Sequence, residues 1–159
     1  MSQASFEYHV HDEAGTERLG QSLAEHLPAG SVVALDGPLG AGKTRLVQAI
    51  AAALGVDRRD VVSPTFVLVH EYRGRRPIIH IDAYRVRDDD EFLQLGTLEY
   101  FAAPNLALVE WAERVESCLP DERLQVAIEA LPGDERVFRI TGRGALAGVV
   151  EQLRAALGN

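Results

Sequence analysis

Apolar and polar residues follow two different periods along the chain. Runs with the alternating or fully apolar pattern of β-strands occur at 6–10, 31–36, 66–72, 77–84, 105–110, 124–131 and 136–141. Helices are predicted at 13–26, 45–54, 111–118 and 146–157, with two shorter ones at 87–95 and 97–101. Strands and helices alternate over most of this order, which is typical of α/β folds.

Two pairs of these strands are joined by short turns and are expected to form antiparallel hairpins. The first pair meets at the arginine-rich turn 73–76, and the second meets at Pro132, Gly133 and Asp134. The other strands are connected largely through helices, as parallel strands require. We therefore predict a three-layer α/β fold whose central sheet is mixed, mainly parallel, and carries two β-hairpins.

Length and charge indicate one ordinary globular domain spanning 1–159. The 159 residues are enough for a substantial core. The net charge of −8 disfavours a protein that grips nucleic acid by itself, since such affinity comes largely from Lys and Arg contacts to phosphates. No apolar run approaches the roughly 20 residues that span a bilayer, and no signal-peptide pattern is visible. With Cys118 as the single cysteine, we expect a cytoplasmic protein.

The most specific chemical signal is the segment 37–44, whose sequence GPLGAGKT matches the phosphate-binding pattern G-x-x-x-x-G-K-[ST]. It lies between the predicted strand 31–36 and the predicted helix 45–54, which is the context that a P-loop requires. Its three glycines permit backbone angles that turn successive N–H groups toward phosphate oxygens. Lys43 can reach the β- and γ-phosphates, and the Thr44 hydroxyl can bind Mg²⁺. The segment predicts a P-loop NTPase-like fold that binds a nucleoside triphosphate.

A P-loop also needs an acidic residue at the end of a neighbouring strand, to hold Mg²⁺ directly or through water. Glu110 ends the fully apolar run 106–109, which is typical of a buried central strand. Asp82 ends the run 78–81, which a histidine interrupts. We therefore assign Glu110 to the metal and place Asp82 near the γ-phosphate, either outside the metal's direct ligands or as a base that orients water.

The sequence alone leaves open the roles of several residues near these motifs, most of which have two interpretations. The Ser-Pro-Thr sequence 63–65 is either a switch, in which the Ser63 hydroxyl senses the γ-phosphate, or an ordinary proline-containing turn with a capping hydroxyl. Trp111 is either a core aromatic residue or a residue that stacks on a nucleotide. His80 is expected to be a core histidine with one nitrogen satisfied. The arginines of 73–76 form either a solvated turn or a contact to an anion or RNA.

These motifs occur together, in one order, in a known family. After the P-loop come Ser-Pro-Thr-Phe at 63–66, the His-x-Asp-x-Tyr-Arg pattern of His80, Asp82, Tyr84 and Arg85, then Glu91, Gly96, Glu99 and Tyr100, and finally Val109, Glu110 and Trp111. From about residue 12 to the second hairpin, this arrangement closely resembles the bacterial TsaE (YjeE) family, the ATPases of tRNA threonylcarbamoyladenosine synthesis.

The resemblance implies an ATPase, slow by itself, that works in a complex with the TsaD and TsaB proteins. That complex transfers a threonylcarbamoyl group to N6 of adenosine 37 in tRNA, and hydrolysis of ATP is thought to reset it. Contacts to tRNA are therefore expected through the partners, in line with the acidic charge of this chain.

By motif, the resemblance also implies the role of each site residue. It implies phosphate contacts for Leu39, Gly40, Ala41, Gly42 and Lys43, Mg²⁺ ligation by Thr44 and Glu110, a hydrolytic site completed by Thr65 and Asp82, and nucleotide contacts for Trp111, Glu13 and Gly133.

Two other functions remain open from the sequence. A kinase for small molecules or nucleosides usually needs an Arg-rich closing lid, and only Arg85, Arg87 and the arginines of 73–76 could supply one. A non-catalytic adaptor would use ATP only to order a surface for a partner, and the motifs do not separate it from an ATPase.

Overall fold

A seven-stranded sheet forms the centre of the part of the chain that the structure describes. The structure is a computed structural model and describes residues 1–62 and 68–158. The strands are β1 Gln3–Val10, β2 Val32–Asp36, β3 Val69–Arg73, β4 Pro77–Asp82, β5 Leu106–Glu110, β6 Leu124–Ala130 and β7 Arg136–Arg143. They lie side by side in the order β1-β7-β6-β2-β5-β4-β3.

The directions of the strands confirm a mixed, mainly parallel sheet. Strands β6, β2, β5 and β4 are mutually parallel neighbours. Strands β3 and β7 run antiparallel to their neighbours, so that five of the seven strands point the same way. Both predicted hairpins are present, as β3–β4 and β6–β7. Residues 66 and 67, expected at the start of the first hairpin, lie outside the described residues.

Helices cover both faces of the sheet and complete the three layers. They are α1 Glu13–His26, α2 Lys43–Ala53, α3 Asp89–Gln94, α4 Thr97–Ala102 and α5 Leu146–Leu157. Alternate residues of β2 enter opposite cores, as the pleat of a strand requires. Val33 and Leu35 pack in the core beneath α1, α2 and α5, whereas Val32 and Ala34 pack in the core beneath α3 and the segment after β5. No helix within 1–62 or 68–158 is long and apolar enough to cross a membrane.

The prediction of a regular helix at 111–118 is wrong. Ala112–Cys118 form 3₁₀ turns, and Val115 leaves helical angles with φ −132° and ψ 27°. The first turn of this segment is bound to the sheet, because the N–H of Glu113 donates to the Asp36 side chain at the end of β2, at 3.0 Å. Trp111 has left-handed backbone angles, with φ 58° and ψ 39°, so the predicted helix cannot begin at residue 111.

The arginine-rich turn between β3 and β4 binds the ends of two helices. The Arg75 guanidinium donates to the carbonyl of Ala53 at the end of α2. The Arg76 guanidinium donates to the carbonyls of Ala24 and Pro28, at 3.3 and 3.0 Å, near the end of α1. Cations at helix C-termini pair with carbonyls that have no partner inside the helix. These contacts give Arg75 and Arg76 a structural role and favour it over contact to an anion or RNA.

Helices α1 and α2 approach each other closely at Gly20. A Cβ atom added there would lie 2.5 Å from the Cβ of Ala49 and 2.8 Å from its carbonyl carbon. Both residues are buried. Since α2 begins directly after the P-loop, this contact helps to fix the helix that presents the loop.

Replacing Gly20 with alanine should therefore destabilise the protein by about 1–3 kcal/mol, the usual cost of overpacking a filled core. Gly148→Ala in α5 is the matched control, because an added Cβ would meet no atom within 4 Å. That change should instead raise the free energy of unfolding by about 0.5–1 kcal/mol, since alanine is the better helix former. Urea unfolding of both variants measures the difference. A Gly20→Ala variant as stable as the parent would contradict the close packing of α1 and α2.

Candidate nucleotide site

The loop between β2 and α2 has the backbone that phosphate binding requires. Gly37, Gly40 and Gly42 have φ values of 151°, 80° and 114°, which L side chains rarely adopt. Lys43 and Thr44 are the first two residues of α2. The loop therefore leads into a helix N-terminus, where free N–H groups and the helix dipole favour an anion.

Lys43 is the only lysine of the chain, and the residue is only 5% exposed. The Nζ atom donates to the carbonyl of Gly37 and, at 3.0 Å, to the carbonyl of Pro38. It also lies 3.9 Å from the centre of a Trp111 ring, within the range of a cation–π contact. Burial lowers the pKa of Lys43, and the negative charge of nearby carboxylates, Glu110 first among them, opposes that shift.

Thr44 is bound to the strand-end acid on β5. Its hydroxyl lies 2.9 and 3.0 Å from the two carboxylate oxygens of Glu110, to which it donates. Glu110 is only 3% exposed, and its Oε2 atom also accepts from Nε2 of His80 at 2.5 Å. With that ring nitrogen donating, the other nitrogen of a neutral His80 accepts from the Tyr72 hydroxyl at 3.2 Å. The buried carboxylate therefore has a donor on each side.

His80 thus corrects one sequence prediction. We expected a core histidine with one satisfied nitrogen, and both nitrogens have partners in the structure. The side chain is fully buried on β4, two residues before Asp82. Its link to Glu110 was not predicted, although the alternation of β4 offered a signal, since His80 and Asp82 must point to the same face of the sheet.

Asp82 lies beside Glu110 because β4 and β5 are parallel neighbours. The two residues are directly paired in register at the ends of their strands. The Asp82 carboxylate is buried and accepts from the backbone N–H of Tyr84 at 2.9 Å. The sheet therefore brings both strand-end acids to the edge where the P-loop begins, as expected for carboxyl ends of parallel strands.

Trp111 has the most unusual backbone in the described chain. It is the only residue other than glycine with a positive φ among 1–62 and 68–158, at 58°. Its ring lies 4.8 Å from the ring of Tyr84, centre to centre. The side chain lines the cavity beside the P-loop and also packs against the hydrophobic core, so both interpretations of Trp111 keep a structural basis.

A cavity of about 510 Å³ collects most of the predicted site residues. Leu39, Gly40, Gly42, Lys43, Thr44, Asp82, Glu110 and Trp111 line it, together with Arg45, Leu68, Tyr84 and Arg85. Leu39 is exposed at its rim. Thr65, the remaining residue that was expected here, lies outside the described residues.

A second cavity, of about 200 Å³, lies on the other side of the P-loop and shares Gly40 and Gly42 with the first. Ala41 and Glu13 line it, and Glu13 forms an ion pair with Arg45. Gly133 belongs to the nearby β6–β7 turn rather than to the cavity lining.

Arg136, which the sequence did not single out, connects that turn to the P-loop. It donates to the carbonyls of Ala41 and Gly133 at 3.0 and 3.2 Å. No motif marks Arg136, because its partner in the P-loop, the carbonyl of Ala41, lies 95 residues away in the sequence.

These features define the class of protein. A P-loop follows a buried parallel strand, and acidic residues from two neighbouring strands enter the same cavity, as in P-loop nucleotide-binding proteins. A family model described as "Threonylcarbamoyl adenosine biosynthesis protein TsaE" matches residues 10–138. The chain belongs to the TsaE family, whose members are involved in tRNA threonylcarbamoyladenosine biosynthesis.

Curated relatives and a solved structure agree with this assignment. A Bacillus subtilis (strain 168) protein is 42% identical over 130 residues, which are 81% of this chain and 80% of that protein. A Treponema pallidum (strain Nichols) protein is 36% identical over 125 residues, 79% of this chain and 92% of its own. Both are named tRNA threonylcarbamoyladenosine biosynthesis protein TsaE. The crystal structure of Bacillus subtilis YdiB matches with a TM-score of 0.77 and 31% identity, over 99% of this chain and 97% of that one. The predicted P-loop NTPase-like fold is confirmed.

Replacing His80 with leucine should lower the free energy of unfolding by about 3 kcal/mol, because the buried Glu110 carboxylate loses a charge-assisted hydrogen bond. His70→Leu is the matched control. His70 pairs with His80 across β3 and β4 and touches the same Tyr72 hydroxyl, at 3.3 Å, but it is only half-buried and does not contact Glu110. The His70→Leu variant should lower the free energy of unfolding by less than about 1 kcal/mol. If urea unfolding showed the same loss of stability for His80→Leu and His70→Leu, the contact between His80 and Glu110 would make no specific contribution to stability.

Proposed function

We propose that this chain is a Mg²⁺-dependent ATPase that serves the formation of N6-threonylcarbamoyladenosine at position 37 of tRNA. One observation carries the ATPase proposal, namely that Lys43, Thr44, Asp82 and Glu110 converge on a single cavity at the P-loop. These are the residue types that phosphate binding, metal binding and the activation of water require. Membership of the TsaE family supports the link to this tRNA modification, and that role calls for a cytoplasmic protein.

The two cavities beside the P-loop support a division of the nucleotide between them. We propose that the phosphates lie in the larger one, against the backbone of 39–43 and the Lys43 ammonium. The smaller cavity then receives the base and ribose, beside Glu13 and the turn that contains Gly133. Because Gly40 and Gly42 border both cavities, one ligand can pass across the loop from one to the other.

The donor set at Thr44 and Glu110 fits Mg²⁺. A threonine hydroxyl and a carboxylate are hard oxygen ligands, and they are already in contact at 2.9 Å. We propose that both bind the metal, which would neutralise charge on the phosphates when bound. His80 holds the Glu110 carboxylate in place, in the way that hydrogen bonds commonly orient metal ligands.

Asp82 and Thr65 are proposed to complete the hydrolytic site. The Asp82 carboxylate is anchored by the Tyr84 N–H and lies in the same cavity as Lys43. From there it can orient an attacking water molecule, while Lys43 stabilises negative charge on the transferring phosphoryl group.

We further propose that this chain acts as an accessory subunit of a complex of TsaD and TsaB homologues. The net charge of −8 supports contact with tRNA through those partners and not through this chain.

The kinase alternative is less well supported. Arg75 and Arg76 contact the ends of α1 and α2, and among the arginines considered for a lid only Arg85 lines the larger cavity. The adaptor alternative differs from the ATPase only in whether hydrolysis is needed, and a variant that binds ATP without hydrolysing it separates the two.

Lys43→Ala should weaken ATP binding and lower turnover by about 100-fold or more, because a charge that stabilises the transferring phosphoryl group is lost. Glu110→Ala should abolish Mg²⁺-dependent turnover, and Asp82→Ala should spare binding more than hydrolysis. Glu71→Ala, an exposed acidic position on β3, is the control and should behave as the parent. Isothermal titration with ATP and a phosphate-release assay measure the two effects.

Unchanged binding and turnover in Lys43→Ala would overturn the central assignment. If Asp82→Ala abolished Mg²⁺-nucleotide affinity while Glu110→Ala did not, the two acidic residues would exchange roles. ATP consumption that depends strictly on a small acceptor, with a phosphorylated product, would establish the kinase instead.

A pull-down from the source cells should recover the TsaD and TsaB homologues with this chain when ATP is present. Lys43→Ala should recover less of both, since the nucleotide is expected to promote the complex. Capture of neither partner under any nucleotide condition would contradict the proposed role as a subunit. Full pathway activity from a variant that binds but does not hydrolyse ATP would establish the adaptor.

A further inference from the structure

Asp36 connects three elements around the candidate site, although it belongs to none of the motifs. It is the last residue of β2 and directly precedes Gly37 of the P-loop. Its Oδ1 atom accepts from the backbone N–H of Glu113 at 3.0 Å, and its Oδ2 atom accepts from the side-chain amide of Gln125 on β6. One carboxylate therefore ties the entrance of the P-loop to the turn after β5 and to β6.

The contact on β6 is itself firmly held. Gln125 accepts through Oε1 from Nε of Arg123 at 3.1 Å, which leaves its amide nitrogen to donate to Asp36. Arg123 is only 3% exposed, and it also donates to the carbonyl of Pro120 at 3.0 Å. A side chain in such a network has little freedom to move, so Asp36 has a fixed geometry.

The contact with Glu113 reaches the candidate site through Trp111. Only Ala112 separates Trp111 from Glu113 in the sequence. Trp111 has a left-handed backbone, a conformation that costs a residue other than glycine about 1 kcal/mol. Such a conformation persists when its surroundings hold it. The bond from the Glu113 N–H to Asp36 supplies a fixed point two residues downstream, and the Trp111 ring then rests against the Lys43 ammonium.

We propose that Asp36 is a positioning residue, whose bond to the Glu113 N–H holds the Trp111 turn against the P-loop. Through that turn it sets the packing of Trp111 on Lys43 and hence the shape of the nucleotide cavity. The effect on Trp111 does not depend on any ligand, whereas the effect on affinity rests on the nucleotide binding proposed above.

Ionisation adds a pH dependence to this contact. Burial and the adjacent Glu113 carboxyl group raise the pKa of Asp36 from 3.8 to about 7. The other charged groups near Asp36 are Lys43 on α2 and Arg123 directly before β6, the latter through Gln125. The pKa of Asp36 is higher in the folded protein than in the unfolded chain, so its protonation stabilises the folded state. This stabilisation is complete below about pH 3.8 and is lost as the pH rises through about 7. Above that pH, two adjacent carboxylates repel each other next to the Trp111 turn.

Trp111 is the only tryptophan of the chain, so its fluorescence reports the turn directly. The experiment compares acrylamide quenching of the parent, Asp36→Ala and Asp36→Asn without nucleotide, from about pH 5 to about pH 9. Asp57→Ala is the matched control, since Asp57 also accepts a backbone N–H of a 3₁₀ segment, from Arg59 at 2.9 Å, but lies outside both cavities at the P-loop.

Asp36→Ala should raise the quenching constant of Trp111 about twofold or more at every pH, because the turn loses its fixed point and opens more often. In the parent, quenching should rise as the pH passes about 7, because the carboxylates of Asp36 and Glu113 then repel each other beside the turn. Asp36→Asn keeps an oxygen for the Glu113 N–H but turns an amide donor toward the Gln125 amide, so its quenching should lie between those of the parent and Asp36→Ala and show no transition near pH 7. The affinity of Asp36→Ala for an ATP analogue should fall about tenfold, equivalent to about 1.4 kcal/mol. Asp57→Ala should quench as the parent does.

The proposal is overturned if Asp36→Ala quenches like the parent, or if Asp36→Asn keeps the transition near pH 7. A further variant, Gln125→Leu, should also raise the quenching constant of Trp111. An unchanged constant would contradict the role of Gln125 in holding Asp36. Loss of binding in Lys43→Ala tests nucleotide binding separately. The two proposals can therefore fail independently of each other.

Discussion

The buried Glu110 carboxylate is the constraint on which the rest of the candidate site depends. At 3% exposure, a charged group is stable only if hydrogen-bond donors replace the water that it has lost. Thr44 supplies one donor from the start of α2, and His80 supplies another from β4. The hydrogen bonds to the Glu110 carboxylate therefore fix the positions of α2, β4 and β5 relative to one another.

The same principle organises the other side of the P-loop entrance. Asp36 is half-buried and accepts from a backbone amide and from Gln125, so that its geometry is also set by its donors. Lys43 lies between these two acidic regions, held by the carbonyls of Gly37 and Pro38 and by the ring of Trp111. The charged side chains of the site are thus held in place by hydrogen bonds to one another and to the backbone. Residues outside the motifs supply some of these hydrogen bonds and therefore matter to the site.

Some elements could be predicted locally and others could not. The two hairpins and helix α1, whose N-cap Asp12 accepts from the N–H of Gly15 at 3.2 Å, depend on contacts between residues that are near in sequence. The segment 112–118 was predicted wrongly, because no local pattern showed the left-handed backbone of Trp111 or the bond from the Glu113 N–H to Asp36, 77 positions away. Arg136 and the second partner of His80 were missed for the same reason, since no local pattern encodes a partner on another strand.

The sequence by itself determined the class of fold, the P-loop, the two strand-end acids and the membership of the TsaE family, because spacing and residue type carry that information within short segments. The tertiary structure decided which acid touches Thr44, how His80 supports it, and why Trp111 takes a left-handed backbone beside Lys43. These facts depend on the parallel register of β4, β2 and β5, which places residues from separate segments within a few ångströms of one another. Such register arises only when the whole sheet packs, since long-range strand pairing is set by the burial of both faces.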